Sequence, residues 1–208
     1  MSKNKICVIN YQLNNISSVI KALHESSIKF EILNEGTNLY NFSHVIIPGI
    51  GSFGAGVAKL KDLNFFNKLK NCPKNIKILG ICLGMQILFE TSEESNDPDT
   101  KGLSLIKGNV KKMTQFNDKN IYIPHIGWNK IEKLSNLNCF EIDSRSDFYF
   151  ANSYYVNPKK KDVIKFTFLH GKKYPAVIQE DNYIGFQFHP EKSKAGIEIL
   201  KSFCIQNL

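Results

Sequence analysis

The amino-acid sequence predicts an α/β domain, with a mostly parallel central sheet flanked by helices and additional antiparallel strands in its C-terminal half. In the first half, short β-branched and apolar runs alternate with longer amphipathic segments, which is typical of parallel strands joined by helices. After about Asn96, short strand-like segments follow one another with turn signals between them. At roughly 150 residues per domain, the 208 residues predict one domain spanning 1–208.

The elements of the first half follow from hydrophobic patterning. Ile16, Val19 and Leu23 recur at helical spacing, whereas the strand-like runs are apolar on both faces, as in a sheet covered by helices on both sides. Pro48 ends the third strand, because it cannot donate a ladder hydrogen bond. We predict strands at 6–10, 30–33, 44–47 and 77–81, and helices at 15–27, 60–69 and 83–90.

The second half is predicted to add antiparallel strands to this sheet. Turn-forming pairs such as Asn157-Pro158 and Asp181-Asn182 separate its apolar segments. We predict strands at 121–124, 148–155, 164–170, 176–179 and 183–189. Helical spacing of apolar residues predicts a closing helix at 195–205.

Composition and charge exclude several classes of protein. The formal net charge of +8 rests almost entirely on scattered lysines, with Arg145 as the single arginine, whereas proteins that bind nucleic acid favour the planar guanidinium. No apolar run approaches the roughly 18 residues of a membrane helix. The apolar stretch near the N-terminus is too short for the hydrophobic region of a signal peptide. Five cysteines without a C-x-x-C pair disfavour a disulfide framework or a zinc site. We therefore expect a cytoplasmic protein with no metal, no cofactor, no nucleic-acid partner and no membrane partner.

The most informative motif is Gly80-Ile81-Cys82-Leu83-Gly84, at the junction of a predicted strand and a predicted helix. Flanking glycines permit the tight turn of a nucleophile elbow, which would present the Cys82 sulfur above the sheet. The backbone N–H of Leu83 would then face an oxyanion formed at the sulfur. The alternative is a buried cysteine between two glycines that merely allow close packing.

A nucleophilic cysteine needs a base and a group that orients the base. Of the five histidines, His189 is the best candidate, because it follows an apolar strand and is fixed by Pro190, with Glu191 two residues away. A histidine at a strand end that only satisfies local hydrogen bonds is the alternative. His24 and His170 are expected to be surface or packing residues, and His44 precedes a predicted strand. The segment 124–129 (PHIGWN), which contains His125, is expected to shape a loop or an interface.

A glycine-rich segment, residues 48–54, follows the third strand. It lacks the Lys-Ser/Thr of a phosphate-binding loop and the acidic residue of a dinucleotide-binding one. We interpret it as a second source of oxyanion N–H groups, with a plain tight turn as the alternative.

These motifs together resemble a known family. Residues 48–51 (PGIG), 80–86 (GICLGMQ) and 188–193 (FHPEKS) are similar to the three signature blocks of class I (triad) glutamine amidotransferases. Residues 124–129 (PHIGWN) and 191–193 (EKS) narrow the resemblance to the HisH type, the glutaminase subunits of imidazole glycerol phosphate synthase. The resemblance covers nearly the whole chain and implies a class I glutamine amidotransferase-like (flavodoxin-like) fold.

The resemblance also implies a role for individual residues. Cys82 would attack the side-chain amide of L-glutamine, His189 would transfer the proton, and Glu191 would orient His189. Ammonia would pass through an internal channel to a HisF-type (β/α)8 synthase subunit, in a heterodimer that serves histidine biosynthesis. The residues implied to bind glutamine or its oxyanion are Gly49, Gly51, Leu83, Gln86, Ser153 and Tyr154, and those implied at the partner interface are Tyr11, Asn15, Trp128 and Lys192.

Three positions depart from the family pattern: Asn10, Asn14 and Asn152 stand where the family usually has Asp, Gly and His. The triad is untouched, so these departures bear on the partner and the ammonia acceptor rather than on glutamine hydrolysis. The alternatives are a HisH-like paralogue that supplies ammonia for surface-glycan sugar modification, a stand-alone cysteine hydrolase or peptidase, and a non-catalytic regulatory module.

Overall fold

The computed structural model describes residues 4–13, 16–114 and 121–206. The N-terminal half alternates strands and helices, as predicted. Its strands are β1 (Ile6–Ile9), β2 (Phe30–Leu33), β3 (His44–Ile47) and β4 (Lys77–Ile81). Its helices are α1 (Ile16–Glu25), α2 (Phe53–Asp62), α3 (Phe66–Lys70) and α4 (Leu83–Ile87).

The C-terminal half is mostly strand and ends in one long helix. Its strands are β5 (Thr91–Ser92), β6 (Gly108–Lys112), β7 (His125–Lys133), β8 (Asp147–Asn152), β9 (Tyr154–Pro158), β10 (Ile164–His170), β11 (Lys172–Glu180) and β12 (Tyr183–Phe186). Helix α5 spans Lys194–Ile205. None of the helices in the described ranges is both long and apolar enough to cross a membrane.

The described residues form one large sheet of nine strands and a small sheet of three. The large sheet has the order β2-β1-β3-β4-β12-β11-β10-β7-β8, and the small sheet has the order β5-β6-β9. The first five strands of the large sheet run parallel, and each remaining strand is antiparallel to its neighbour. The predicted fold class is therefore confirmed.

The core forms on both faces of the parallel strands, because successive side chains of a strand point to opposite faces. Val8 and Ile81 pack with helices α1 and α5 on one face, and Ile9 and Ile47 pack with α2 on the other. The burial of both faces explains why these strands lack the alternation of apolar and polar residues.

Three predicted elements were wrong. Instead of one helix at 60–69, α2 begins seven residues earlier and a turn separates it from α3, because Asn64 adopts a left-handed backbone with φ of 59°. The segment 121–124 is not a strand, whereas His125–Lys133, expected in part to be a loop, is strand β7. Residues 148–155 form two strands, which break at Ser153 and pair in different sheets.

The parallel half of the sheet brings the sequence motifs together. Strands β3, β4 and β12 are neighbours, and their carboxyl ends lie at the same edge of the sheet. The glycine-rich segment follows β3, Cys82 follows β4 and His189 follows β12. This edge is where ligands bind in open α/β sheets.

Candidate active site

Cys82 occupies the strained turn that the sequence predicts. It lies between β4 and α4 with φ of 53° and ψ of −106°, a conformation that costs a non-glycine residue about 1–3 kcal/mol. Gly84 is required here, because a Cβ atom at that position would lie 1.8 Å from the Ile47 carbonyl oxygen. The predicted elbow geometry is confirmed.

Polar side chains surround the sulfur of Cys82. His189 lines the same cavity as Cys82 and interacts with the sulfur, and the side-chain amide nitrogen of Gln187 lies 3.8 Å from it. On the far side of the ring, His189 Nδ1 lies 2.9 Å from Glu191 Oε1. Cys82, His189 and Glu191 therefore form a continuous nucleophile–base–carboxylate arrangement.

Burial and hydrogen bonding have opposite effects on the pKa of His189. Desolvation alone lowers the pKa of His189, but the hydrogen bonds to Cys82 and Glu191, with their charges, outweigh it and raise the pKa to about 10. The side chains of His189 and Glu191 are 9% and 6% exposed, so solvent screens their interaction very little. The site stabilises a protonated imidazole beside the sulfur, as a Cys–His pair requires.

The backbone fixes His189 through two elements. Its N–H donates to the Tyr149 carbonyl at 2.8 Å, which attaches it to strand β8. Pro190 then starts a single 3-10 turn over Pro190–Lys192, in which the Lys192 N–H donates to the His189 carbonyl at 3.2 Å. This turn places Glu191 on the same side as His189, as the sequence predicts.

The predicted oxyanion donor, the Leu83 N–H, already donates a hydrogen bond to a neighbouring carbonyl. The Leu83 N–H donates to the Gly49 carbonyl oxygen at 3.3 Å, and the Ile50 N–H donates to the Leu13 carbonyl at 3.3 Å. The glycine-rich segment therefore faces Cys82 as expected, but with a carbonyl turned toward the Leu83 N–H. Leu83 can bind an oxyanion only after the Gly49 carbonyl moves away.

A cavity of about 400 Å³ opens beside Cys82 and His189. Five of the six predicted substrate-binding residues line it: Gly51, Leu83, Gln86, Ser153 and Tyr154. Gly49 instead lines a second cavity of about 200 Å³, together with Glu191 and Lys192. His189 lines both cavities.

The sequence interpretation missed Glu94, which lines the larger cavity. Its Oε2 accepts a hydrogen bond from the Phe53 N–H at 2.7 Å, at the start of α2. Burial raises the pKa of Glu94, and this hydrogen bond partly offsets the effect. Nothing in the local sequence marks Glu94, because only the fold brings it to Cys82.

Asn152, one of the family-atypical residues, also lines this cavity. Its amide nitrogen donates to the Tyr154 carbonyl at 3.0 Å, and its buried Oδ1 atom has no hydrogen-bond partner among the described residues. Asn10, another of them, donates from its amide to Asn34 Oδ1 at 2.7 Å, near the surface. Asn14 lies outside the described residues.

The predicted interface residues occupy different environments. Trp128 is 56% exposed, and Lys192 is exposed at the smaller cavity. Tyr11, in contrast, is completely buried, with its hydroxyl against Gly49, so its side chain offers no surface to a partner. Asn15 lies outside the described residues.

Within the described residues, no group of three or more His, Cys, Asp or Glu side chains is arranged to hold a metal ion. The side chains at the site supply a nucleophilic sulfur, a protonated imidazole and a carboxylate that orients the imidazole. This arrangement suits acyl transfer through a thioester.

Comparison with known proteins places this geometry in a family. The model of the family "Glutamine amidotransferase class-I" matches residues 7–207. The chain belongs to the class I glutamine amidotransferase family. The match includes all three residues of the Cys–His–Glu arrangement, so the resemblance read from the sequence motifs is confirmed.

Relatives of similar sequence identify the type of glutamine amidotransferase within this family. The chain is 40% identical to the imidazole glycerol phosphate synthase subunit HisH of Methanocaldococcus jannaschii, over 95% of this chain and 97% of the relative. It is 36% identical to the corresponding subunit HisH 1 of Methanococcus maripaludis, over 95% of this chain and 98% of the relative. The chain is thus a HisH-type member of the family.

Solved structures support the fold. A chain in the structure of PurLQS from Thermotoga maritima superposes with a TM-score of 0.69 at 18% identity, covering 97% of this chain and 98% of the other. At this identity the likeness supports the architecture alone.

Proposed function

We propose that this chain is the glutaminase subunit of an imidazole glycerol phosphate synthase, hydrolysing L-glutamine to glutamate and ammonia for histidine biosynthesis. The observation that carries the proposal is the contact of Cys82 with His189, and of His189 with Glu191, at the wall of a cavity large enough for an amino acid. The HisH names of the relatives supply the pathway.

The reaction follows from the positions of these side chains. The Cys82 sulfur attacks the side-chain amide carbon of glutamine, and the carbonyl oxygen becomes an oxyanion. His189 gives its proton to the amide nitrogen, which leaves as ammonia while a γ-glutamyl thioester forms. Water then attacks the thioester carbon, His189 accepts a proton from this water, and glutamate is released with the sulfur restored.

Residues around the cavity match the remaining parts of glutamine. Glu94 supplies a carboxylate for the α-ammonium group, and Ser153 and Tyr154 supply further polar groups in the lining of the cavity. The Gln86 side chain is itself held by the Tyr154 carbonyl at 3.2 Å. The cavity thus combines one carboxylate with several neutral hydrogen-bonding groups, which suits a zwitterionic amino acid.

The occupied oxyanion donor predicts a slow enzyme in the absence of a partner. Because the Leu83 N–H donates to Gly49, the tetrahedral intermediate lacks that donor until the glycine-rich segment rearranges. Loss of one oxyanion-hole donor typically costs a factor of about 100 to 1,000 in kcat. A partner that moves this segment would therefore accelerate glutamine hydrolysis by a similar factor.

The proposed partner is a HisF-type (β/α)8 synthase subunit, which would form a heterodimer with this chain and receive the ammonia. The relatives are named as subunits of a synthase. Trp128 and Ile126 are exposed apolar side chains on β7, and Lys192 lines the smaller cavity. These features support docking on this face.

Residues 1–208 are proposed to form one glutaminase domain, supported by a family match that runs from residue 7 to residue 207. The proposed location is the cytoplasm, because the five cysteines are free thiols and thiols are kept reduced in that compartment. The alternative of ammonia supply for surface-glycan sugars is not favoured, because the relatives are named for imidazole glycerol phosphate synthase.

The test combines an activity assay with genetic complementation. The wild-type chain, co-expressed with the synthase from its own host, is expected to release glutamate and to restore growth of a histidine auxotroph lacking this subunit. Cys82→Ala is expected to do neither, whereas Cys204→Ala, which changes another buried cysteine, is expected to do both. Glutamate release by Cys82→Ala would refute the role of the sulfur, and failure of wild-type complementation would refute the pathway.

A further inference from the structure

Gln187 is a completely buried polar residue in contact with the nucleophile. It lies between β12 and His189, and its backbone N–H donates to the Ala176 carbonyl on β11 at 2.9 Å. Its side-chain Nε2 lies 3.8 Å from the Cys82 sulfur. The backbone bond fixes the base of the side chain, so the amide group is held at the sulfur.

The other end of this amide is also engaged. Gln187 Oε1 accepts a hydrogen bond from Gln86 Nε2 at 3.3 Å. The same Gln86 nitrogen donates to the Tyr154 carbonyl at 3.2 Å. A chain of amides therefore runs from the wall of the larger cavity to the sulfur.

The orientation of the Gln187 amide follows from these contacts. If the amide were flipped, its NH₂ group would face the NH₂ group of Gln86, and two donors would meet without an acceptor. Gln86 therefore selects the orientation in which Gln187 presents N–H to sulfur. A buried donor of this kind stabilises a thiolate more than a thiol, because hydrogen bonds to charged groups are the stronger ones.

We propose that Gln187 is a positioning residue, whose side-chain amide holds the Cys82 sulfur and couples it to Gln86 in the wall of the cavity. The proposal depends on the proposed function only in naming glutamine as the molecule that occupies the cavity. The coupling means that a ligand which displaces Gln86 also alters the hydrogen bond at the nucleophile.

The ionisable groups around Cys82 come from segments other than the β4–α4 turn that holds Cys82. His189, with Glu191 behind it, approaches from the segment after β12, and Tyr11 approaches from the segment after β1. Glu94 lines the larger cavity together with Cys82. Gln187 differs from all of these, because it contributes a donor that carries no charge at any pH.

The chain offers a matched control in Gln179. This glutamine is also buried, and its Nε2 lies 3.7 Å from the sulfur of Cys139, while its Oε1 accepts from the Asn138 N–H at 2.9 Å. The contact has the same chemistry but lies outside the candidate active site. Substitution of Gln179 therefore reports the structural cost of losing such a contact.

The test measures the rate of Cys82 alkylation by iodoacetamide as a function of pH, in the full-length chain. In Gln187→Met, the pH of half-maximal rate is expected to rise by about one unit, because the thiolate loses a donor. Gln187→Glu keeps an acceptor for Gln86 but places a carboxylate at the sulfur, so a larger rise is expected. Gln179→Met is expected to leave the midpoint unchanged.

An unchanged midpoint in folded Gln187→Met would overturn the proposal. An NMR titration of the wild-type chain tests the contact between Gln187 and Cys82 even if the Gln187 variants fail to fold. One side-chain amide proton of Gln187 is expected to shift in NMR spectra with the same midpoint as alkylation, and this titration is expected to disappear in Cys82→Ala. A Gln187 amide signal that does not respond to pH would refute the contact.

Failure of this inference is distinguishable from failure of the proposed function. A midpoint that moves in Gln187→Met, in a chain that releases no glutamate with its partner, would support the positioning role and refute glutamine as the substrate. Normal glutamate release by Gln187→Met, with an unmoved midpoint, would refute the positioning role alone.

Discussion

The backbone strain at Cys82 makes an unusual prediction about stability. Glycine normally destabilises a folded chain relative to alanine, because it gains more backbone freedom on unfolding. At Cys82 the order should reverse, since φ of 53° is unfavourable for any residue with a Cβ atom. We therefore expect Cys82→Gly to be more stable than Cys82→Ala, although both lose the sulfur.

The size of the effect follows from two opposing contributions. Relief of the strained conformation is worth about 1–3 kcal/mol, and the backbone entropy of glycine costs about 0.5–1 kcal/mol. The net advantage of Cys82→Gly over Cys82→Ala is then about 1 kcal/mol in the free energy of unfolding. For a chain of this length, that corresponds to a rise of about 2–4 °C in Tm.

The assay is thermal and urea unfolding of both variants, with Cys204 as the matched control. Cys204 is buried like Cys82 but lies inside helix α5, where no strain exists to relieve. There, the glycine variant is expected to be less stable than the alanine variant by about 1 kcal/mol. If glycine destabilises both positions equally, Cys82 is not strained and the reasoning about the elbow is wrong.

Three further predictions address the cavity, the core and the elbow. Glu94→Gln is expected to raise KM for glutamine about tenfold with little change in kcat, because the α-ammonium group loses its carboxylate; kcat and KM moving together would contradict this. Burial, with nearby Lys77, lowers the pKa of His44 to about 4, below its unfolded value near 6.5. The free energy of unfolding should therefore fall by up to about 1.4 kcal/mol per unit as pH drops from about 6.5 to 4, and urea titrations of His44→Gln should show a shallower slope. Gly84→Ala, whose Cβ would clash with the Ile47 carbonyl, is expected to lower the free energy of unfolding by about 3 kcal/mol or more, and a folded variant with unchanged Tm would contradict that contact.

The central parallel strands could be predicted almost to the residue. Strands β3 and β4 match the predicted bounds, because their apolar runs are buried on both faces and are flanked by polar residues or proline. Strand β6 was missed, since its sequence GNVKK is mostly polar and is stabilised by pairing with β5 and β9. Pairing of this kind depends on tertiary structure and leaves little local pattern.

The site shows the same division between local and long-range information. Cys82, His189 and Glu191 stand in short motifs whose glycine and proline neighbours have local conformational roles. Glu94 and Gln187 are ordinary polar residues in sequence. Only the packing of distant segments brings Glu94 to the cavity and Gln187 to the Cys82 sulfur. The glycine-rich segment was placed correctly, but the direction of the Gly49 carbonyl could not be predicted from residue types.

The position of β12 in the sheet has a consequence for the synthesis of the protein. This strand, Tyr183–Phe186, lies beside β4, Lys77–Ile81, about a hundred residues earlier in the chain. During translation, the edge of β4 that pairs with β12 therefore stays unpaired until β12 has been synthesised. Closure of such a long loop is slow. The nucleophile receives its base only in the last stage of folding, so a nascent or truncated chain carries Cys82 without hydrolytic activity.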